Sequence, residues 1–146
     1  MGIKGLLPPN IRNKIVDEDR RPLGKAGMTT EENIDAKRTK DEKADHRRVM
    51  SWVNRNELEC IHAPTFRRVH DLPPGWPDFT LIWGDQHLFV ELKSAGGRLN
   101  PAQKEMKRKL EAQGATVYVK YSYEQTRRLF IGWLWEIARW TPLEPE

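Results

Sequence analysis

Gly75-Trp76-Pro77-Asp78, Glu91-Leu92-Lys93 and Gln103 gather two carboxylates, an amine and a carboxamide within one short stretch of chain. Mg2+ is a hard cation that takes carboxylate and carbonyl oxygens and keeps several waters. Asp78, Glu91 and the main-chain carbonyl of Leu92 therefore make a plausible open site. A cation held there would bind a scissile phosphate, lower the pKa of a bound water and stabilise charge developing on phosphorus. Lys93 could orient that water, act as its base, or offset negative charge on the phosphate, and the sequence leaves these open. The chemistry is metal-assisted phosphodiester hydrolysis. A Glu-x-Lys pair on a strand, or Pro-Asp at a turn, is by itself ordinary structural usage. The combination, with a glycine before it and a Gln-bearing helix after it, points to a site.

Two apolar-rich runs, Phe79 to Trp83 and His87 to Leu92, must position these groups. Joined by Gly84-Asp85-Gln86, they read as an antiparallel hairpin. A two-residue loop with Gly84 first sets Trp83 opposite Gln86 and Asp78 opposite Glu91, and opposed residues share a face. One face then carries Phe79, Leu81, Trp83, Leu88, Val90 and Leu92 for the core. The other carries Asp78, Thr80, Ile82, His87, Phe89, Glu91 and Lys93, because side chains alternate along a strand. A longer loop would shift the pairing and still leave Asp78, Glu91 and Lys93 clustered.

The run GWPDFTLIWGDQHLFVELKSAGGRLNPAQKEMKRKLEAQGATVYV resembles the VRR-NUC domain, a branch of the PD-(D/E)xK nuclease superfamily, over roughly Lys40 to Trp135. The resemblance implies a restriction-endonuclease-like α/β fold, a small mixed β-sheet flanked by helices. It also implies DNA cleavage, in some members at branched or otherwise structured sites. By that resemblance Asp78 and Glu91 bind the metal, Lys93 is catalytic and Gln103 supports the site. DEKADHRRVMSWV adds Glu42 as a further acidic ligand on the first core helix, with Asp45 one turn further along as its alternative. Two of these residues have a second reading. Asn100-Pro101-Ala102-Gln103 is a good helix start with Gln103 closing a capping box, and Thr39-Lys40-Asp41-Glu42 reads as another.

Around the hairpin, Asp41 to Asn54 reads as a helix with Val49, Trp52 and Val53 on its apolar side, and Leu58 to His62 as a short strand holding Cys60. The helix from Pro101 stops at Gly114, with Ala102, Met106 and Leu110 as its buried stripe. Thr116 to Tyr121 reads as a strand, and Ser122 caps a final helix carrying Leu129, Phe130, Trp133, Leu134 and Ile137 at helical spacing. Arg67 and Arg68, with His62 and His70 behind them, are candidate DNA-backbone contacts ahead of the hairpin. Ser94-Ala95-Gly96-Gly97-Arg98 is another, glycine allowing close approach and Arg98 supplying charge. Trp133, Trp135 and Trp140 give the last helix more aromatic surface than one stripe needs, which suggests a homodimer, since one site per subunit requires two copies to cut both strands symmetrically.

The chain has 146 residues, a formal charge of +4 and a single cysteine. That length suits one core, with a nuclease domain over residues 39–146 and an extended or partly disordered arm over 1–38. The mild basic excess is compatible with a polyanionic partner. Cys60 alone excludes an intramolecular disulfide and a cysteine-rich zinc site. No apolar run approaches the ~20 residues of a membrane span and no leader pattern opens the chain, so the expectation is a cytoplasmic protein, its compactness suiting a phage-like genome. The expected activity is a Mg2+-dependent DNA endonuclease, Mn2+ substituting, selective for branched or junction DNA. A sequence-reading restriction-type enzyme would need extra recognition loops. A non-catalytic nucleic-acid-binding module would have little reason to keep all three of Asp78, Glu91 and Lys93.

Overall fold

The computed structural model describes residues 29–64 and 72–143. The chain divides into two units, residues 1–39 and 40–146. In chain order the elements are α1 (Thr30–Arg55), β1 (Glu59–His62), β2 (Phe79–Trp83), β3 (Gln86–Leu92), α2 (Pro101–Ala112), β4 (Val117–Lys120) and α3 (Tyr123–Ala138).

The first helix begins 11 residues before the expected Asp41, at Thr30. Thr29 is the cap. Its hydroxyl accepts from the Glu32 N–H (3.2 Å) and its own N–H donates to the Glu32 carboxylate (2.6 Å), a reciprocal capping box. Thr39 lies inside the helix, its hydroxyl donating to the Asp35 carbonyl at 3.0 Å. Residues 30–38, expected in an extended arm, are therefore helical; the rest of that arm lies outside the described residues. The helix ends where Glu57 turns to a left-handed φ of 56° and Leu58 N–H bonds back to the Val53 carbonyl.

The four strands form one mixed sheet in the order β1-β2-β3-β4. β1 with β2 and β2 with β3 run antiparallel, and β3 with β4 parallel. The parallel pair is joined through α2, as a parallel connection requires. The hairpin register is the expected one, Trp83 facing Gln86 and Phe79 facing Val90 across the two-residue loop Gly84-Asp85. Gly84 has a φ of 61° and Asp85 does not share a positive value, the II′ pattern whose twist suits a hairpin. Gln86 thus belongs to β3 rather than to the loop.

Phe79, Leu81, Leu88, Val90 and Leu92 form the buried apolar face, packed with Val49, Trp52 and Val53 of α1 and Phe130 and Leu134 of α3. Trp83, expected on that face, lies at the turn end, where it stays 38% exposed. Cys60 is half-buried, and burial pushes its thiol up to about 12. The inward stripe of α2 is Gln103 and Met106, with Leu110 half-buried, whereas Ala102 is exposed. A polar anchor at Gln103, described below, sets the rotation of this helix. Trp140 lies beyond α3, after Arg139 closes the helix at φ 52°, and packs edge-on against Trp52 at 5.9 Å. With Trp133 half-buried, Trp135 alone of the three stays exposed, at 46%. Among the described residues no helix is long and apolar enough to cross a membrane.

Candidate active site

Asp78 immediately precedes β2 and Lys93 immediately follows β3, so the open end of the hairpin brings the two segments together. The register, continued one pair beyond Phe79 and Val90, sets Asp78 against Glu91. Both are buried, at 0% and 2% exposure. Gly75 explains how the preceding loop reaches this point. At a φ of 79° it lies against the first turn of α2, where a Cβ would fall 2.2 Å from the Ala102 carbonyl oxygen. No other residue fits there, and the approach draws Trp76-Pro77-Asp78 beside the helix that carries Gln103.

Asp78 is held by one oxygen. Its Oδ2 accepts from the Leu92 N–H at 2.8 Å and lies 3.6 Å from His46 Nε2. Its Oδ1 is buried with no amide, amine or hydroxyl partner among the described residues, and the carboxyl group shares a hydrogen bond with the Glu91 carboxyl. Glu91 Oε1 accepts from Gln103 Nε2 at 2.7 Å and lies 3.8 Å from Lys93 Nζ. Gln103 also closes the capping box. Its Oε1 accepts from the Asn100 N–H and its own N–H donates to Asn100 Oδ1, both at 2.9 Å. One side chain therefore ends a helix with its carbonyl and anchors a carboxylate with its amide, and the two readings of Gln103 are both realised.

Burial raises both carboxyl groups above the ordinary carboxylate range. The charge of Asp78 and the hydrogen bond between the two carboxyls drive Glu91 further, to about 10, while that same bond, then the Leu92 N–H and Lys93, pull Asp78 back. Without a metal the pair therefore keeps a proton between its two acids, and a divalent cation in that place would release it and hold both carboxylates ionised. Among the described residues no three His, Cys, Asp or Glu side chains form a metal cage. The donor set is thus two carboxylates and a carbonyl, a composition suited to a hard cation that keeps water ligands. Asp78 Oδ1, buried with no N–H donor among the described residues, fits that group.

Glu42 comes to the edge of this cluster. It is half-buried beside Lys93 and the Ser94 main chain, both of which oppose the rise in its pKa caused by burial. Asp45, the alternative, turns away toward Arg48 (3.8 Å) and the main chain of Tyr123. Arg98 is exposed on the β3–α2 connection. The close approach permitted by Gly97 is internal, since a Cβ there would meet the Ser94 carbonyl at 3.0 Å. Arg67, Arg68 and His70 lie outside the described residues.

His46 lies on the buried side of α1, three residues before Val49 and seven before Val53, but a histidine is not counted in an apolar stripe. It is wholly buried one turn after Glu42, and its Nδ1 lies 2.8 Å from His62 Nε2. His62, expected as a phosphate contact, instead stacks on Phe79 with centroids 4.9 Å apart. A histidine at i+4 from the candidate acid was the available signal, because that spacing puts both on one helix face.

A solved structure described as a VRR_NUC domain is similar to this chain at 21% identity and a TM-score of 0.47, covering 62% of this chain and 94% of that one. No curated protein matches. The VRR-NUC domain family matches residues 28–124, starting earlier and stopping earlier than the resemblance read from the motifs. The matched span contains Glu42, Asp78, Glu91, Lys93 and Gln103, so the chain belongs to the VRR-NUC domain family, a nuclease-type family.

Proposed function

We propose that this protein is a metal-dependent deoxyribonuclease that hydrolyses phosphodiester bonds. The observation that carries this reading is the convergence of Asp78, Glu91 and Lys93 at the open end of one hairpin, two buried carboxyls in contact with each other beside one amine. Asp78, Glu91 and the Leu92 carbonyl would hold Mg2+, or Mn2+ in its place, with Glu42 adding negative charge from α1. The bound cation supplies an activated water and stabilises charge on the phosphate. Leu92 N–H fixes Asp78 through Oδ2 and turns Oδ1 toward the cation site. Gln103 fixes Glu91. Lys93 orients the attacking water and offsets charge on the scissile phosphate.

The substrate we propose is branched or junction DNA. A restriction-type enzyme reads base edges through dedicated loops. The described elements beyond the four-stranded core are three helices, which offers little for that purpose. A homodimer that covers Trp135 would present two such sites. Incubation with four-way, flapped, nicked and plain duplex DNA in Mg2+, Mn2+ or EDTA tests the reading. Wild type is expected to cut branched substrates only with metal, and Asp78→Ala and Lys93→Ala to lose cutting. Cleavage in EDTA, or wild-type rates in both variants, would rule the mechanism out. Salt-sensitive retention of DNA without cutting would identify a binding module.

A further inference from the structure

Behind Asp78 stands a second layer of polar groups to which the nuclease chemistry assigns no role. His46 of α1 is fully buried, with Nε2 3.6 Å from Asp78 Oδ2 and within hydrogen-bonding reach of the Leu92 main chain. Its Nδ1 meets His62 Nε2 of β1 at 2.8 Å. Both rings rest on Phe79, the neighbour of Asp78, His62 in parallel stacking and His46 at 5.0 Å and 36°. Three elements thus converge on one carboxylate and one carbonyl, the two groups proposed as metal ligands.

The polarity of this chain follows from its ends. His46 is wholly buried and its Nδ1 faces a second imidazole at 2.8 Å, an arrangement that a neutral ring carrying one N–H satisfies. On Nε2 that proton faces the Leu92 main chain and makes, at 3.6 Å, a longer electrostatic contact with the Asp78 carboxylate. On Nδ1 it would leave a nitrogen lone pair against the carboxylate. The first arrangement requires His62 Nε2–H to donate to His46 Nδ1, and 2.8 Å suits that bond.

We propose that His62 and His46 are positioning residues: a buried imidazole pair, polarised from β1 toward the hairpin, that fixes Asp78 and the Leu92 carbonyl as ligands for a divalent cation. This rests on the nuclease reading. Partners behind metal ligands orient them, and their loss commonly costs about 10- to 100-fold in metal affinity. The pair also joins three segments that the sequence holds apart, the first helix, the first strand and the Pro-Asp turn. Its loss would loosen ligand geometry without removing a ligand.

The test measures Mn2+ binding to the full chain by titration calorimetry, beside thermal unfolding and cleavage at saturating metal. His46→Phe keeps a ring against Phe79 and removes both nitrogens, so it is expected to weaken Mn2+ binding about 10- to 100-fold. His46→Gln, which keeps an N–H donor, should recover most of that loss. His62→Phe, which keeps the stacking and removes the donor to His46, should show an intermediate loss with an unchanged unfolding temperature. It carries the test if His46→Phe does not fold. Wild-type Mn2+ affinity in folded His46→Phe, or in His62→Phe, would overturn the inference, as would equal losses in His46→Phe and His46→Gln. A folded wild type that binds no Mn2+ would overturn instead the nuclease reading on which it stands.

Discussion

Phe79 and Asp78 are neighbours in the chain, equally closed to water, and they face opposite sides of one hairpin. Burying the phenyl ring contributes about 1.5–3 kcal/mol. Burying the carboxylate, with a second one against it, costs free energy that one N–H and one nearby amine offset only in part. The same two strands therefore hold a face that makes the fold and a face that strains it. The apolar side is packed by α1 and α3, whereas the polar side is held by a few directed contacts, Leu92 N–H to Asp78 and Gln103 to Glu91 foremost. Such a division is what a preorganised cation site requires, because ligands that were fully satisfied within the protein would have nothing left to offer a metal.

The largest expected effect separates the faces outright. Asp78→Asn preserves shape and an acceptor for the Leu92 N–H while removing one of two adjacent negative charges. Cleavage should fall on the order of 10^3-fold. The unfolding temperature should stay the same or rise. Phe79→Ala should lose about 3–5 kcal/mol of stability in urea denaturation, its activity falling with the folded fraction. If Asp78→Asn destabilises the protein as much as Phe79→Ala does, the polar face is structural and the contrast fails.

A smaller effect appears in the pH dependence of stability without metal. Asp78 and Glu91 have folded pKa values raised above their unfolded ones, so the folded state holds extra protons and stability falls as pH rises from about 4 through the folded values. His46 acts in the opposite sense, since its lowered pKa makes stability grow from about pH 3 to about 6.5. The two oppose each other in acid, and above neutrality the carboxyl pair contributes together with the raised thiol of Cys60, in the same direction. Urea midpoints should therefore drop between pH 7 and pH 9, and Glu91→Gln should flatten that drop. Saturating Mn2+ should reverse it, because a bound cation favours the ionised pair. A midpoint rising over that interval without metal in wild type would sink the assignment.

What the sequence disclosed follows the same division. The hairpin pairing was legible on the condition of a two-residue loop, because Gly84 first in that loop and a period of two then fix the opposed pairs, Asp78 and Glu91 included. The start of α1 was not. Two Thr-x-x-Glu boxes lie ten residues apart, at Thr29 and Thr39, and the segment between them has one large apolar residue, Ile34, which stays exposed. With no apolar stripe, periodicity had nothing to detect, although the absence of Gly and Pro from Thr30 to Arg55 was available as a sign of unbroken helix. His46 was hidden for a different reason. Its spacing to Val49 and Val53 puts it on the buried side of the helix, but the partner that gives it a role, His62, lies 16 residues away. The inward stripe of α2 was misplaced at Ala102 because the reading counted apolar residues only. The true anchor is polar.

That anchor gives the finest division between structure and chemistry, since it places both within one side chain. Asn100 and Gln103 share the capping box, but only Gln103 continues to Glu91. Asn100→Ala should therefore cost about 1 kcal/mol and leave cleavage within about twofold of wild type. Gln103→Ala should cost a similar amount for the cap, and in addition free Glu91 to rotate, cutting activity by about 10-fold or more. The ratio of the two activities at matched folded fraction isolates the bond to Glu91 from the helix start, since both variants break the same box. Equal activities would make Gln103 a cap alone. Equal and severe losses would mean that the first turn of α2, against which Gly75 lies, must be intact for Asp78 to reach its place, and the site would then depend on that contact more than on any single hydrogen bond.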